Sequence, residues 1–309
     1  MRTLITGATS NLGLSLTRRL IARGDEVHVV ARATSNTQAL EALGAKVHVL
    51  DGRHSRAVAL REIVGLAGPD VAFHLATHYV RRHVADDVAP IVDTNITFGV
   101  ELVSALIASG RGALVTASSF FQFAGPDHSQ PLNLYAAAKS AFDSVVAHLA
   151  SVHGLDTVSL VLYDLYGETD HRRRFVRVAV ESAVAGTPMK VVAGAPPLDL
   201  VHVEDAAAAF VQAADLLVVS PDLVRDRRFA VSSGERHSLA DLVHRVGLLA
   251  GREIDFDFID TSAAHAHDEP SLEPPWSGPP VPGWKPMVSL DDGICRMLAS
   301  LPSKIETMR

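Results

Sequence analysis

Six short runs rich in β-formers, RTLIT, EVHVV, KVHVL, DVAFHLA, GALVTAS and TVSLVLYDL, alternate with stretches of helical period through the first two thirds of the chain. No other feature limits the fold so much. Strands separated by helices of about 10–15 residues build βαβ units, with right-handed crossovers and a parallel sheet. The pattern predicts an α/β architecture, a doubly wound parallel sheet with helices on both faces. Helices are expected after RTLIT to about Arg23, near 92–109, and over about 133–152 around Tyr135. Gly44, Gly68, Gly110 and Gly154 fall just after predicted helices, where a left-handed cap is wanted.

Beyond Gly167 the rhythm changes. A helix opening with an arginine cluster leads to MKVVAG, and DLVHVEDAAAAFVQAAD returns a strand and a helix. FAVSS, a helix from about Ser238 and the charged strand EIDFDFI follow. A proline-rich loop then runs from about Thr261 to Lys285, before a last helix near Ser289. The C-terminal third reads as a smaller lobe interwoven with the sheet. Residues 1–166 and 199–232 are expected to form the main domain, and 167–198 with 233–309 the lobe.

Composition narrows the class. A net charge of −7 and a pI near 6.1 leave no basic stripe to neutralise phosphates, which argues against nucleic acid as a partner. Cys295 is the single cysteine, so neither an intrachain disulfide nor a cysteine metal cluster can form, and a reducing, cytoplasmic setting fits. The first strand begins almost at Met1, so no signal peptide is expected. No uncharged apolar run reaches the roughly 20 residues that span a bilayer, and no membrane association is expected.

The first strand runs into TGATSNLG, Thr6 to Gly13. A glycine-rich turn between a first strand and helix can seat a pyrophosphate on the helix N-terminus, where N–H groups and the dipole favour anions. Gly7 suits the tight turn and Gly13 the close approach of helix and sheet. Ser10 takes the middle place, often a glycine, and its alternative role is to cap the helix. Thr9, Ser10, Asn11 and Leu12 are expected around the dinucleotide, with Leu75 and Ala76 at the end of the fourth strand. The second strand ends in Ala31 and Arg32, without the acidic residue that would bond the ribose 2′-hydroxyl of NAD. A guanidinium can pair instead with a 2′-phosphate. NADP(H) is the expected cofactor, with NAD the alternative, and Asp51 is a candidate contact for the adenine amino group.

Tyr135 and Lys139, in NLYAAAKSAF, are four apart and share a helix face. A free phenol, with a pKa near 10, is a sluggish acid at neutral pH, and a lysine one turn away favours its ionised form. Here the sequence resembles the extended short-chain dehydrogenase/reductases of the nucleotide-sugar epimerase/dehydratase type. TGATSNLG, DVAFHLAT, TASSFFQF and YAAAK match in order and spacing, and LYDLYGETD, DLVHVEDAAAA and PGWKP agree further on. The resemblance covers nearly the whole chain. It implies a Rossmann-type domain with a substrate-binding lobe, catalysis by Ser119, Tyr135 and Lys139, a hold on the nicotinamide ribose by Lys139, a nucleotide-sugar substrate, and a homodimer built on the helices near 92–109 and 133–152.

Departures from the family pattern refine that expectation. Sugar 4,6-dehydratases carry an Asp-Glu pair after the catalytic hydroxyl residue; here Phe120 and Phe121 stand there and cannot transfer protons. Epimerase-reductases acting at C3 and C5 need an active-site thiol, and Cys295 lies in the last helix. LYDLYG, with Asp164 where many relatives have asparagine, resembles the 4-ketoreductases, so reduction of a nucleotide-activated 4-keto-6-deoxyhexose is expected. A 4-epimerase and a non-catalytic NADP(H) sensor are the alternatives. The arginine that many relatives use for the sugar diphosphate is Leu198 here, so Arg172, Arg173 or Arg174 are candidates for that charge, with His78 and Phe121 facing the sugar. His265 and His267 sit in a loop with no third ligand at useful spacing, so no metal is expected.

Overall fold

The computed structural model of the protein describes residues 1–110, 112–170, 172–260 and 276–301. The chain divides into two compact units, one of 1–162, 207–231 and 270–284, the other of 163–206, 232–269 and 285–309.

The first unit opens with β1 Arg2–Thr6, α1 Asn11–Ala22, β2 Glu26–Arg32, α2 Gln38–Leu43, β3 Lys46–Leu50, α3 Arg56–Ala67 and β4 Val71–His74. It continues with α4 Ala85–Val92, α5 Phe98–Ser109, β5 Ala113–Ser119, α6 Leu134–His153 and β6 Thr157–Leu162. The second unit holds β7 Asp164–Tyr166, α7 Phe175–Ala185, β8 Met189–Val192 and β9 Leu200–His202. The chain returns to the first unit along α8 Val203–Val219 and adds β10 Arg227–Val231, before α9 Leu239–Leu249, β11 Phe256–Ile259 and α10 Leu290–Ser300 complete the second.

The main sheet is parallel throughout, in the order β10-β6-β5-β4-β1-β2-β3. Strand order reverses between β1 and β4, and the crevice beyond the carboxyl ends of those two strands is where such sheets bind ligands. The inner strands β1, β4 and β5 are near-continuous buried runs because both of their faces are covered. Leu4, Val30, Ala72 and Leu114 pack with Leu60, Val64, Leu102, Leu106, Phe142 and Val146 of the helices in one core cluster. Gly44, Gly68, Gly110 and Gly154 all sit in left-handed C-caps, at φ of 95°, 49°, 61° and 69°. Ser10, Ser238 and Ser289 cap α1, α9 and α10 with their side-chain oxygens.

Two elements differ from the expected ones. TVSLVLYDL is not one strand: it breaks at Tyr163, leaving β6 beside β5 and β7 paired with β9 in the second unit. The helix expected near 92–109 starts earlier, and a π turn at Asp93–Thr97 joins α4 to α5. The resulting helix, Ala85–Ser109, is the one among the described residues long and apolar enough to cross a membrane. It is instead part of this core: Leu102, Val103, Ala105 and Leu106 are buried, and Asp93 and Glu101 pair with Arg56 of α3.

In the second unit, β8 pairs with β11 and β7 with β9. Their core is Val176, Ala179 and Val180 of α7, Leu242, Val243 and Val246 of α9, and Ile294 and Met297 of α10.

Candidate active site

At the end of β1 the chain turns sharply at Gly7, whose φ is +74°. A Cβ there would also lie 2.6 Å from the backbone nitrogen of Ala76, so glycine is required twice over. At Gly13 a Cβ would run into the Gly7 carbonyl and the Ala8 backbone. The Ser10 hydroxyl accepts from the Gly13 N–H at 3.0 Å, so the capping role holds. Leu75 N donates to the Thr6 carbonyl at 3.1 Å and Ala76 N reaches Thr6 Oγ1 at 3.4 Å, which draws the ends of β1 and β4 together. A tight glycine turn with two backbones in contact and a helix N-terminus behind it fits a dinucleotide pyrophosphate.

Arg32 ends β2 exposed, and among the described residues it has no carboxylate within ion-pair distance. Asp51, just past β3, accepts from the backbone N–H of Arg53 at 3.0 Å and pairs with its guanidinium at 2.5 Å. That backbone bond, with the ion pair behind it, holds the Asp51 carboxyl below its usual range.

Ser119 is the last residue of β5, and its hydroxyl accepts from Phe121 N at 3.3 Å to open a 3₁₀ turn over Phe120–Gln122. The turn is braced from behind. Gln122 Oε1 accepts from Ser119 N at 2.8 Å, and Gln122 Nε2 donates to Asp143 at 2.9 Å. Ser118 donates to the same carboxylate at 3.0 Å and bonds Ser159 at 2.7 Å. On α6, capped by Asn133 through Ala136 N, Tyr135 and Lys139 face inward. Lys139 is 2% exposed, and its Nζ donates to the Ala117 carbonyl at 2.8 Å, two residues before Ser119. The Tyr79 ring meets Tyr135 edge-on at 4.9 Å and Phe121 at 6.4 Å, so the ends of β5 and α6 converge on one place.

Burial pushes the Lys139 ammonium down to about 8, with the Asp143 charge one turn on opposing the shift. Stability from this residue is therefore fully present above about 10.5 and lost as pH falls through about 8. Lys139→Met should thus be more stable than the parent at pH 7, by about 3 kcal/mol, with the gap closing by pH 10.5. Urea unfolding of both proteins across that range checks this; a constant gap would refute it.

Several residues of this region carried no signal strong enough to single them out. Asn95, in the π turn, is buried; its Oδ1 accepts from Thr77 Oγ1 at 2.8 Å and His78 N at 2.9 Å, and its Nδ2 donates to the His78 carbonyl. It holds the loop leaving β4, where π turns often do such work. Its only trace was a lone amide before an apolar helix. His74 bonds Thr6 Oγ1 at 2.8 Å, and burial first, then the Lys139 charge, pushes it down to about 3, so its ring is neutral.

His78 follows β4 half-buried, and Phe121 lies in the 3₁₀ turn beside Tyr79. Arg172 and Arg174 belong to the second unit. Arg172 grips the buried Asp170 through Nε and Nη2, both at 2.8 Å, and Arg174 lies 3.8 Å from the same carboxylate. Their charge is partly spent inside that loop. Among the described residues no cluster of three or more histidine, cysteine, aspartate or glutamate side chains could hold a metal; His265 and His267 lie outside them.

The chain is 25% identical over 223 residues to the CDP-abequose synthase of Yersinia pseudotuberculosis, covering 72% of this chain and 74% of that one. To the UDP-glucose 4-epimerase of Mycolicibacterium smegmatis it is 26% identical over 342 residues, covering 98% and 99%. Its fold matches the Thermus thermophilus UDP-glucose 4-epimerase in complex with NAD at a TM-score of 0.78, with 23% identity over 97% of this chain and 98% of the other. The model of one family, described as the NAD dependent epimerase/dehydratase family, matches residues 3–222. With the glycine turn, the parallel sheet and the nucleotide-sugar enzymes among its relatives, the chain belongs to the NAD dependent epimerase/dehydratase family.

Proposed function

We propose that the protein reduces the keto group of a nucleotide-activated 4-keto-6-deoxyhexose, using NADPH. The observation that supports this reading is a site with a phenol, a lysine and a serine, its carboxylate Asp143 being engaged behind the turn by Ser118 and Gln122. Phe120 and Phe121 fill the places where elimination would need an acid and a base. Such a set can manage one proton at one oxygen, which is what carbonyl reduction requires.

Bound reduced nicotinamide supplies the hydride. Ser119 Oγ orients the carbonyl oxygen by a hydrogen bond, and Tyr135 gives that oxygen its proton as charge develops there. Lys139, buried beneath, favours the phenolate that remains and holds the nicotinamide ribose. Gly7, Thr9, Ser10, Asn11, Leu12 and Gly13 would hold the pyrophosphate, with Leu75 and Ala76 alongside. Arg32 would take the 2′-phosphate and Asp51 the adenine. His78 and Phe121 would meet the sugar, with Arg172 and Arg174 as candidates for its diphosphate. A C2 homodimer through the helices at 85–109 and α6 belongs to the same proposal; Ala141, Ser144 and Ala147 leave a small-residue face exposed on α6.

A second reading is supported by the 4-epimerases among the relatives, the Thermus thermophilus enzyme having been crystallised with NAD. The deciding experiment releases and identifies any co-purified nucleotide, then titrates the protein with NADPH and NADH. Reversible binding that favours NADPH, followed by NADPH oxidation with 4-keto-6-deoxy sugars, is the expected result. Tightly retained NAD would replace the reductase with the epimerase.

A further inference from the structure

β5 runs on after β4 has stopped. His74, the last residue of β4, lies opposite Thr116, whereas β5 continues to Ser119. Ala113 N donates to the Asp70 carbonyl on the β4 side of β5. Backbone groups point to alternate edges along a strand, so Ala117 and Ser119 present theirs on that same side, where the neighbouring strand has ended. A buried backbone group left without a partner is costly, and two side chains meet the need. Lys139 Nζ donates to the Ala117 carbonyl at 2.8 Å, and Gln122 Oε1 accepts from Ser119 N at 2.8 Å.

Gln122 is buried, and its amide can lie only one way round. Its oxygen faces the Ser119 N–H, and its nitrogen donates to Asp143 at 2.9 Å and to Ser140 Oγ at 3.4 Å. A carboxylate only accepts, so Asp143 enforces that orientation while Ser118 donates to it from the strand at 3.0 Å. From the 3₁₀ turn, Phe121 N donates to Ser119 Oγ at 3.3 Å. That bond occupies a lone pair of the hydroxyl and leaves its hydrogen to point away from the turn. Ser119 is held through its nitrogen and its oxygen, with its O–H left to donate.

We propose that Gln122 is a positioning residue for the reaction: it aims the Ser119 hydroxyl at the carbonyl oxygen, and Asp143 fixes the sense of its amide. This rests on the ketoreductase reading, in which Ser119 orients that oxygen. As the hydride arrives and charge gathers on the oxygen, the bond from Ser119 tightens, so its placement counts most in the transition state. A group misplaced by about 1 Å can cost about 10²-fold in rate. Gln122 acts through Ser119, so its effect belongs to kcat and vanishes where the hydroxyl is absent.

The test is a double-mutant cycle read by NADPH oxidation with 4-keto-6-deoxyglucose as its dTDP and CDP esters. Gln122→Met keeps the length of the side chain and removes its acceptor. It should lower kcat about 10- to 100-fold and leave the KM for NADPH within about twofold of the parent. In a Ser119→Ala background the same substitution should cost less than about twofold. A second pair of variants decides should Gln122→Met fold poorly. Gln122→Glu still accepts from Ser119 N but sets a like charge against Asp143, and should lose activity similarly. Adding Asp143→Asn supplies an amide that donates to the new carboxylate, and should return kcat to within about threefold of the parent. Equal losses in both backgrounds, full activity in Gln122→Met, or a paired variant that recovers nothing would overturn the positioning role and leave the ketoreductase standing. A parent protein that oxidises no NADPH with these sugars would overturn both.

Discussion

Tyr135→Phe is expected to lower kcat by about 10²- to 10⁴-fold, the span that a positioned acid contributes. NADPH affinity should stay within about twofold of the parent. The reason for the split is geometric. Phenylalanine keeps the ring that meets Tyr79 at 4.9 Å and the buried place on α6, so the fold and the cofactor's seat persist while the proton is lost. Steady-state NADPH oxidation alongside a fluorescence titration of the cofactor separates the two effects. Full activity in the variant would remove Tyr135 from the chemistry.

The second large effect is expected from Arg32→Asp, as an exchange of cofactor preference of about 10²-fold. The exposed guanidinium at the end of β2 offers a planar, charge-assisted fork to a 2′-phosphate. An aspartate there repels that phosphate and accepts instead from the 2′-hydroxyl of NAD. Because the side chain is exposed, stability should change by less than about 0.5 kcal/mol, so lost NADPH binding would not reflect unfolding. Competing titrations with NADPH and NADH read the preference. An unchanged ratio would dismiss Arg32 as the selector.

Much of this was readable before any coordinate. Strand and helix periods, the glycines after helices and the serines before them are local facts, because a left-handed cap or an orphan amide is met by a residue within a few positions. What stayed hidden depends on distant partners. Whether 157–166 is one strand or two is decided by β5 and β9, and nothing within TVSLVLYDL marks the break at Tyr163. Gln122 and Asp143 read as ordinary polar residues, since their meeting joins the end of a strand to the middle of a helix. The pairing of Arg172 is legible locally. In ETDHRRR the aspartate two places earlier is close enough to take the charge, and it does.

The π turn at Asp93–Thr97 carries one residue more than an α-helical path between the same ends would need. Removing a residue would turn one side of the helix against the other by about 100°. Either Asn95 would leave the loop after β4, or α5 would leave the core. The turn thus ties function to chain length, and a point substitution cannot remove its extra residue. A substitution at Asn95 changes one side chain, whereas the count of residues between Ala85 and Ser109 answers to two separate demands at once, the hold on the loop after β4 and the burial of α5.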